Sequence, residues 1–161
     1  MVGIDHKKLK LELRRALECS VHLLAQKTDL KNICTFGLYT SEELNYVSAT
    51  ANESPRSTQT KFLWSPPDWK YHTFADQSCF LLVETEMLKG WDEDFLVFQV
   101  DKDLVFGIFI DVLTELRLKY FSGTNVLVGV FMGSMGHEMV ASSISRINPL
   151  YVAKLFSLDK E

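Results

Sequence analysis

The spacing of apolar residues near the N-terminus predicts a helix. After Asp5, apolar side chains recur at steps of three and four residues, which places them on one face of an α-helix. Asp5 is a suitable N-cap, and the pattern ends at Thr28. We expect an amphipathic helix whose inner face consists of Leu9, Leu13, Ala16, Leu17, Ser20, Val21 and Leu24.

Three segments have the composition of β-strands. Residues 33–39 are rich in β-branched and aromatic side chains, and residues 44–51 follow them after a short polar loop. This arrangement predicts a β-hairpin with Tyr39 and Tyr46 near its turn. Residues 126–132 are almost wholly apolar, which predicts a central strand that is covered on both faces.

Helical patterns return between these strands and again after the third one. Asp76 is a potential N-cap for a helix over residues 77–89, and a longer helix that begins at Asp94 or Asp103 is expected to reach Tyr120. The inner faces of these two helices are expected to consist of Phe80, Val83 and Met87, and of Phe106, Ile110, Leu113 and Leu116.

The C-terminal part completes the fold class. Residues 137–147 fit either a helix or a strand, and we favour a helix; Asn148 and Pro149 are typical of the start of a last short helix. The order of elements predicts an α+β fold, with a small, mostly antiparallel sheet packed against amphipathic helices. We expect one domain over residues 1–161.

Composition and charge exclude several classes of protein. The 161 residues, 47% of them hydrophobic, suffice for one hydrophobic core but not for two ordinary domains. A net charge of −4 argues against a nucleic-acid ligand, because such domains usually carry a basic excess. The chain contains no run of 18 uncharged apolar residues and no signal-peptide pattern, so we expect a cytoplasmic protein without a membrane span.

The chain contains cysteines and histidines, but they do not have the spacing of a metal site or a catalytic motif. Cys19, Cys34 and Cys79 lack metal-ligand spacing, and we expect buried, inert thiols. His137-Glu138 begins a zinc-protease motif, but Ala141 stands where the second histidine would be. We therefore expect no enzyme, no bound metal and no cofactor.

An aromatic segment, residues 62–72, contains two tryptophans, a histidine and two prolines. The prolines restrict the backbone, and Trp64, Trp69 and His72 offer large faces with polar tips, as binding surfaces do. Two interpretations stay open: the tryptophans contact a partner, or they anchor an irregular loop to the sheet. A third use is the wall of a small-molecule pocket, with Asp68 and His72 as its polar groups.

An acidic region, residues 84–103, is the second candidate surface. It holds seven acidic residues against two lysines, whereas residues 1–32 hold seven basic residues against four acidic ones. An acidic surface with aromatic side chains steers and binds a basic partner. The alternative is a solvated junction between helices. The candidate binding residues here are Glu84, Glu86, Trp91, Asp92, Glu93, Asp94, Asp101 and Asp103.

The motif Trp64-Ser65-Pro66-Pro67-Asp68-Trp69 resembles the W-S-P-x-x-W pattern of a family of uncharacterised small bacterial α+β domains. The stretch from Phe36 to Thr40 and the late Arg146-Ile147-Asn148-Pro149 resemble two further patterns of that family. Such domains resemble the immunity proteins that are encoded beside secreted toxins. The resemblance implies a protein partner, a basic toxin domain that this chain would bind and occlude, and it implies no catalytic residue.

Two functions follow from these observations. The first is a non-enzymatic protein-binding module, specifically an immunity protein. The second is a small-molecule-binding domain or small enzyme that uses the aromatic segment as a pocket wall. The oligomeric state does not follow from the sequence.

Overall fold

Five helices and three strands make up the part of the chain that the computed structural model describes, residues 3–54, 65–75, 77–90 and 96–158. The fold is α+β, as predicted. Single turns of 3₁₀ helix lie at Leu30–Asn32 and Pro66–Asp68. The elements are α1 (His6–Lys27), β1 (Ile33–Thr40), β2 (Val47–Glu53), α2 (Gln77–Leu88), α3 (Leu96–Tyr120), β3 (Leu127–Phe131), α4 (Glu138–Ile147) and α5 (Leu150–Leu158).

The caps and inner faces of the helices follow the sequence pattern. The carboxylate of Asp5 accepts hydrogen bonds from the backbone N–H groups of Lys7 and Lys8, both at 3.1 Å, and so starts α1. Thr28 is in an extended conformation and ends the helix. The residues predicted for the inner faces of α1, α2 and α3 are all buried, and the buried apolar side chains of the described residues form one core.

The sheet is mixed, in the order β2-β1-β3. β1 and β2 form the predicted antiparallel hairpin, whereas β1 and β3 are parallel. The prediction that residues 126–132 form the central strand is wrong, because β1 occupies the centre. The apolar sequence of β3 does reflect cover by other elements, because α3 and α4 both pack against this strand.

Two glycines let β1 and β3 approach closely. Gly37 and Gly129 face each other in the parallel register. A Cβ atom on Gly37 would lie 1.9 Å from the carbonyl oxygen of Gly129 and 2.8 Å from the ring of Phe131. A Cβ atom on Gly129 would come within 3.2 Å of Ile144 of α4. The paired glycines therefore make room for an aromatic ring and a helix over the sheet.

The basic residues of α1 do not form a separate surface. Lys10 lies 3.2 Å from Asp111, and Arg14 lies 2.8 Å from Glu115, so that the carboxylates of α3 neutralise this face of α1. A third pair, Lys119 with Glu18, spans the same two helices at 2.6 Å. The carboxylates of α3 thus compensate part of the local positive charge that the sequence places in residues 1–32, whereas the Lys119–Glu18 pair has the opposite polarity.

None of the helices in the described ranges is both long enough and apolar enough to cross a membrane.

Candidate functional site

A cleft between β2 and α2, here called the β2–α2 cleft, is the candidate binding site. Its volume is about 390 Å³. One side is the start of β2, the second is the turn that precedes α2, and the third is α2 itself, through Phe80 and Glu84. The lining residues are Tyr46, Val47, Ser48, Thr73, Ala75, Phe80 and Glu84.

The hairpin turn and the segment before α2 fix the walls of this cleft. The Thr40 hydroxyl donates a 2.6 Å hydrogen bond to the carbonyl of Tyr46, which sets the direction of the chain as β2 begins. Leu44, fully buried in the turn, has φ 53°, and Thr73 has φ 47°. A β-branched residue such as Thr73 rarely adopts this left-handed conformation, so the backbone is strained where it lines the cleft.

An aromatic row extends from the cleft across the sheet. The ring of Tyr46 lies 6.0 Å from that of Tyr39, and Tyr39 meets the His72 ring edge-on at 4.6 Å. Burial lowers the pKa of His72, and its Nδ1 is buried with no hydrogen-bond partner among the described residues. Burial, and then the neighbouring Tyr39, raise the pKa of Tyr46. These shifts keep His72 and Tyr46 uncharged at neutral pH.

Glu84 supplies the negative charge of the cleft. This side chain is half-buried, and one carboxylate oxygen accepts a long hydrogen bond of 3.5 Å from the backbone N–H of Val47. Among the described residues, no lysine or arginine lies within 4 Å of it, although the four other buried or half-buried acidic residues each have such a partner. Those four are Glu12 with Arg15, Glu18 with Lys119, Glu53 with Lys70, and Glu86 with Lys8 and Lys89.

Glu86, a second predicted binding residue, is part of the structure of the α1–α2 contact. Its side chain is only 1% exposed and lies 2.7 Å from Lys89 and 3.5 Å from Lys8. It also accepts a hydrogen bond from the backbone N–H of Asp5. Burial alone would raise the pKa of Glu86, but these partners more than offset that effect and lower it. This carboxylate is already satisfied within the chain.

The described residues of the aromatic segment have different surroundings. Trp69 is 3% exposed and meets the ring of Phe131 edge-on at 4.8 Å, as the anchor interpretation expects. Asp68 is exposed and accepts a 2.6 Å hydrogen bond from the Ser65 hydroxyl. His72, which reaches the aromatic row, is the member of the segment that lies next to the cleft.

Of the remaining predicted binding residues, one lines a second hollow and the others lie outside the described residues. Asp103 is exposed and lines an open hollow of about 380 Å³ between α3 and α4, together with Glu138 and Arg146. Trp64, Trp91, Asp92, Glu93, Asp94 and the side chain of Asp101 lie outside the described residues. The acidic region therefore contributes Glu84 to the cleft and Asp103 to a different place.

Sequence reasoning did not find the polar cluster around Glu53 at the end of β2. Its carboxylate accepts hydrogen bonds from Lys70 at 2.8 Å and from the hydroxyls of Tyr71 and Thr28, both at 2.7 Å. These bonds lower the pKa of Glu53 to about 2. A carboxylate that is ionised so firmly is no general acid at neutral pH. The cluster fastens the end of the aromatic segment to β2, and no local pattern in the sequence signals a contact across 17 or 18 residues.

Cys34 is half-buried in β1, and its thiol is held in the protonated form. Burial raises its pKa to about 11, and the thiol donates a 3.5 Å hydrogen bond to the carbonyl of Asn52. Within the described ranges, no three side chains of the metal-binding types cluster together.

Comparison with known proteins adds no relative. No protein-family model matches the chain, and no curated protein and no solved structure is significantly similar to it. The resemblance based on the motif from Trp64 to Trp69 therefore stays a prediction.

Proposed function

We propose that the chain is a non-enzymatic protein-binding module whose β2–α2 cleft receives a lysine or arginine side chain of its partner. The observation that carries this proposal is Glu84, the shielded carboxylate that lacks a basic partner among the described residues. Partial burial removes water from a carboxylate, and an opposite charge or hydrogen bonds must compensate for that loss. A basic side chain that enters the cleft supplies both.

The other walls of the cleft suit the rest of such a side chain. The ring of Tyr46 presents an aromatic face, which attracts ammonium and guanidinium groups. Phe80 and Ala75 give an apolar surface against which the methylene stem of lysine or arginine packs. A volume of about 390 Å³ is at the low end of the range for ligand pockets and is large enough to admit one such side chain.

A narrower form of the proposal makes the partner a toxin and this chain its immunity protein. It is supported by the resemblance of Trp64–Trp69 to an immunity-type family and by the acidic excess of residues 84–103. Toxins that act on nucleic acids present basic surfaces, and carboxylates imitate the phosphates that such surfaces bind. The partner's basic side chain in the cleft would then come from that surface.

Calorimetric titration with the protein encoded by the neighbouring gene tests both forms. We expect binding by the wild type and an affinity roughly 10-fold or more weaker for Glu84→Gln, because the acceptor of the hydrogen bond loses its negative charge. The matched control is Glu138→Gln, which removes one negative charge from an exposed position on α4. It alters long-range electrostatic attraction similarly and leaves the cleft intact.

Each outcome has a defined meaning. Equal affinities of Glu84→Gln and Glu138→Gln would rule out the cleft as the binding site. Absence of binding, together with no protection when the two genes are co-expressed, would rule out the toxin as partner.

A small organic cation is the second candidate ligand, favoured by the carboxylate of Glu84 in the cleft and by the aromatic row beside it. Agmatine, which carries the guanidinium group of arginine on a short stem, is a suitable probe. Thermal stabilisation of the wild type but not of Glu84→Gln by agmatine, combined with no protein partner, would favour this function over a protein-binding one.

A further inference from the structure

Two cysteines that are far apart in the sequence meet at the contact between α1 and α2. The sulfur atoms of Cys19 and Cys79 are 2.8 Å apart, whereas a disulfide bond is about 2.05 Å long. Cys19 is exposed and Cys79 is half-buried. The expectation of buried thiols is therefore wrong for Cys19, which lies at the solvent edge of the amphipathic helix, and Cys34 and Cys79 are only half-buried.

The helices around the two thiols are already held in place. Near the other end of the contact, Glu86 of α2 accepts a hydrogen bond from the backbone N–H of Asp5 and pairs with Lys8 of α1. The start of α1 therefore lies beside the end of α2, and the thiols join the later part of α1 to the start of α2, so the two helices are antiparallel. Closing the sulfur–sulfur distance by less than 1 Å is within the reach of side-chain rotation.

We propose that Cys19 and Cys79 form a reversible disulfide by exchange with a small-molecule disulfide such as oxidised glutathione. The exposed Cys19 thiolate attacks one sulfur of the oxidant, which forms a mixed disulfide and releases one glutathione thiolate. The Cys79 thiolate then attacks the Cys19 sulfur and releases the second glutathione. Two protein thiols and one oxidised glutathione give one protein disulfide and two reduced glutathiones, which carry the two thiol protons.

The new bond would fasten the first turns of α2 to α1. Cys79 precedes Phe80, which lines the β2–α2 cleft, so the bond also fixes one wall of the cleft. The disulfide itself does not depend on the proposed function. Cys34 provides an internal control, because burial raises its pKa to about 11 and so leaves little thiolate to react.

Incubation of the full chain in glutathione redox buffers, followed by alkylation and peptide mapping, tests the proposal. We expect a peptide pair linked through Cys19 and Cys79, while Cys34 is alkylated only after denaturation. The oxidised chain should melt roughly 5–15 °C higher than the reduced one, because the bond closes a long loop in the unfolded state. Reduction should reverse both changes.

Single variants show whether the two sulfurs act together. Cys19→Ser and Cys79→Ser should each lose the linked peptide and the melting shift, and Cys79→Ser should instead accumulate a mixed disulfide with glutathione on Cys19. Cys34→Ser should behave like the wild type. Separate glutathione adducts on Cys19 and Cys79 in the wild type, or links only between two chains, would overturn the proposal.

Discussion

Arg117 carries a permanent positive charge into the interior, and Asn148 is its main side-chain partner. The arginine is 3% exposed; its Nε donates to the Asn148 side-chain oxygen at 3.1 Å, and a terminal nitrogen donates to the carbonyl of Thr124, also at 3.1 Å. Asn148 also exchanges two hydrogen bonds with the backbone of Val128 in β3, at 2.9 and 2.6 Å. One amide thus connects α3, β3 and the end of α4.

Replacing Asn148 by alanine should destabilise the fold by about 3 kcal/mol. The change leaves the Arg117 Nε and the backbone groups of Val128 buried without partners, and each such group costs about 1–3 kcal/mol. Urea unfolding measures the effect. Arg146→Ala, at an exposed position of the same helix, is the control and should change the free energy of unfolding by about 0.5 kcal/mol or less. A similar loss in both variants would contradict the role of the network.

Contacts of individual side chains are the features that the sequence predicts least well. Asn148 and Pro149 predicted the start of a last helix, and α5 does begin at Leu150. The sequence could not show that Asn148 bonds to a strand 20 residues earlier. Glu84 and Glu86 were likewise equivalent as acidic residues, because only packing determines that one is paired and the other lines a cleft.

At the scale of elements, the hydrophobic pattern predicts whether a segment is a helix or a strand, but it does not predict which elements lie side by side. The helical periods and the hairpin were confirmed within a few residues, since each is specified by adjacent side chains. β3 was misplaced because an apolar run reports burial on two faces and says nothing about which strand lies alongside. The parallel pairing of β1 with β3 also requires a residue without a Cβ atom at Gly37, next to the Gly129 carbonyl, and a single such position produces no period in the sequence.

Two glycine substitutions should have opposite effects. Gly37→Ala should cost about 3 kcal/mol or more, because its Cβ would lie 1.9 Å from the Gly129 carbonyl oxygen and backbone cannot rotate away as a side chain does. Gly107 lies inside α3, and a Cβ there meets no atom within 4 Å. Gly107→Ala should therefore stabilise the chain by about 0.5–1 kcal/mol. Chemical denaturation of both variants provides the measurement, and equal destabilisation would show that the strand contact is not what requires glycine.

Over the whole molecule, the net charge of −4 says less about the surface than the ion pairs between the helices do. The basic and acidic segments of the sequence suggested two charged surfaces. Folding brings α1 against α2 and α3, so that Lys8, Lys10 and Arg14 meet carboxylates. Composition fixes the total charge, but only the tertiary arrangement determines which charges remain for a partner. Within the described residues, the shielded one that remains is Glu84.

The paired carboxylates make the stability of the whole fold depend on pH. In the folded chain the pKa of Glu53 is about 2, and that of Glu86 is also lowered, whereas unfolded glutamates titrate near about 4.3. Between these values the unfolded chain binds more protons than the folded one. Stability is therefore fully present above the unfolded pKa and is lost as the pH falls from about 4.5 towards 2.

Glu53→Gln isolates one part of this dependence. At pH 7 we expect it to lower the free energy of unfolding by about 1 kcal/mol, a value for charged hydrogen bonds that is discounted because water reaches a quarter of the side chain. The difference from wild type should shrink as the pH drops below about 4.5, because the wild-type carboxylate then loses its advantage. Melting curves across this range measure it, with Tyr71→Phe, which removes one of three donors, as a graded comparison. A difference that stays constant with pH would mean that Glu53 acts through packing and not through its charge.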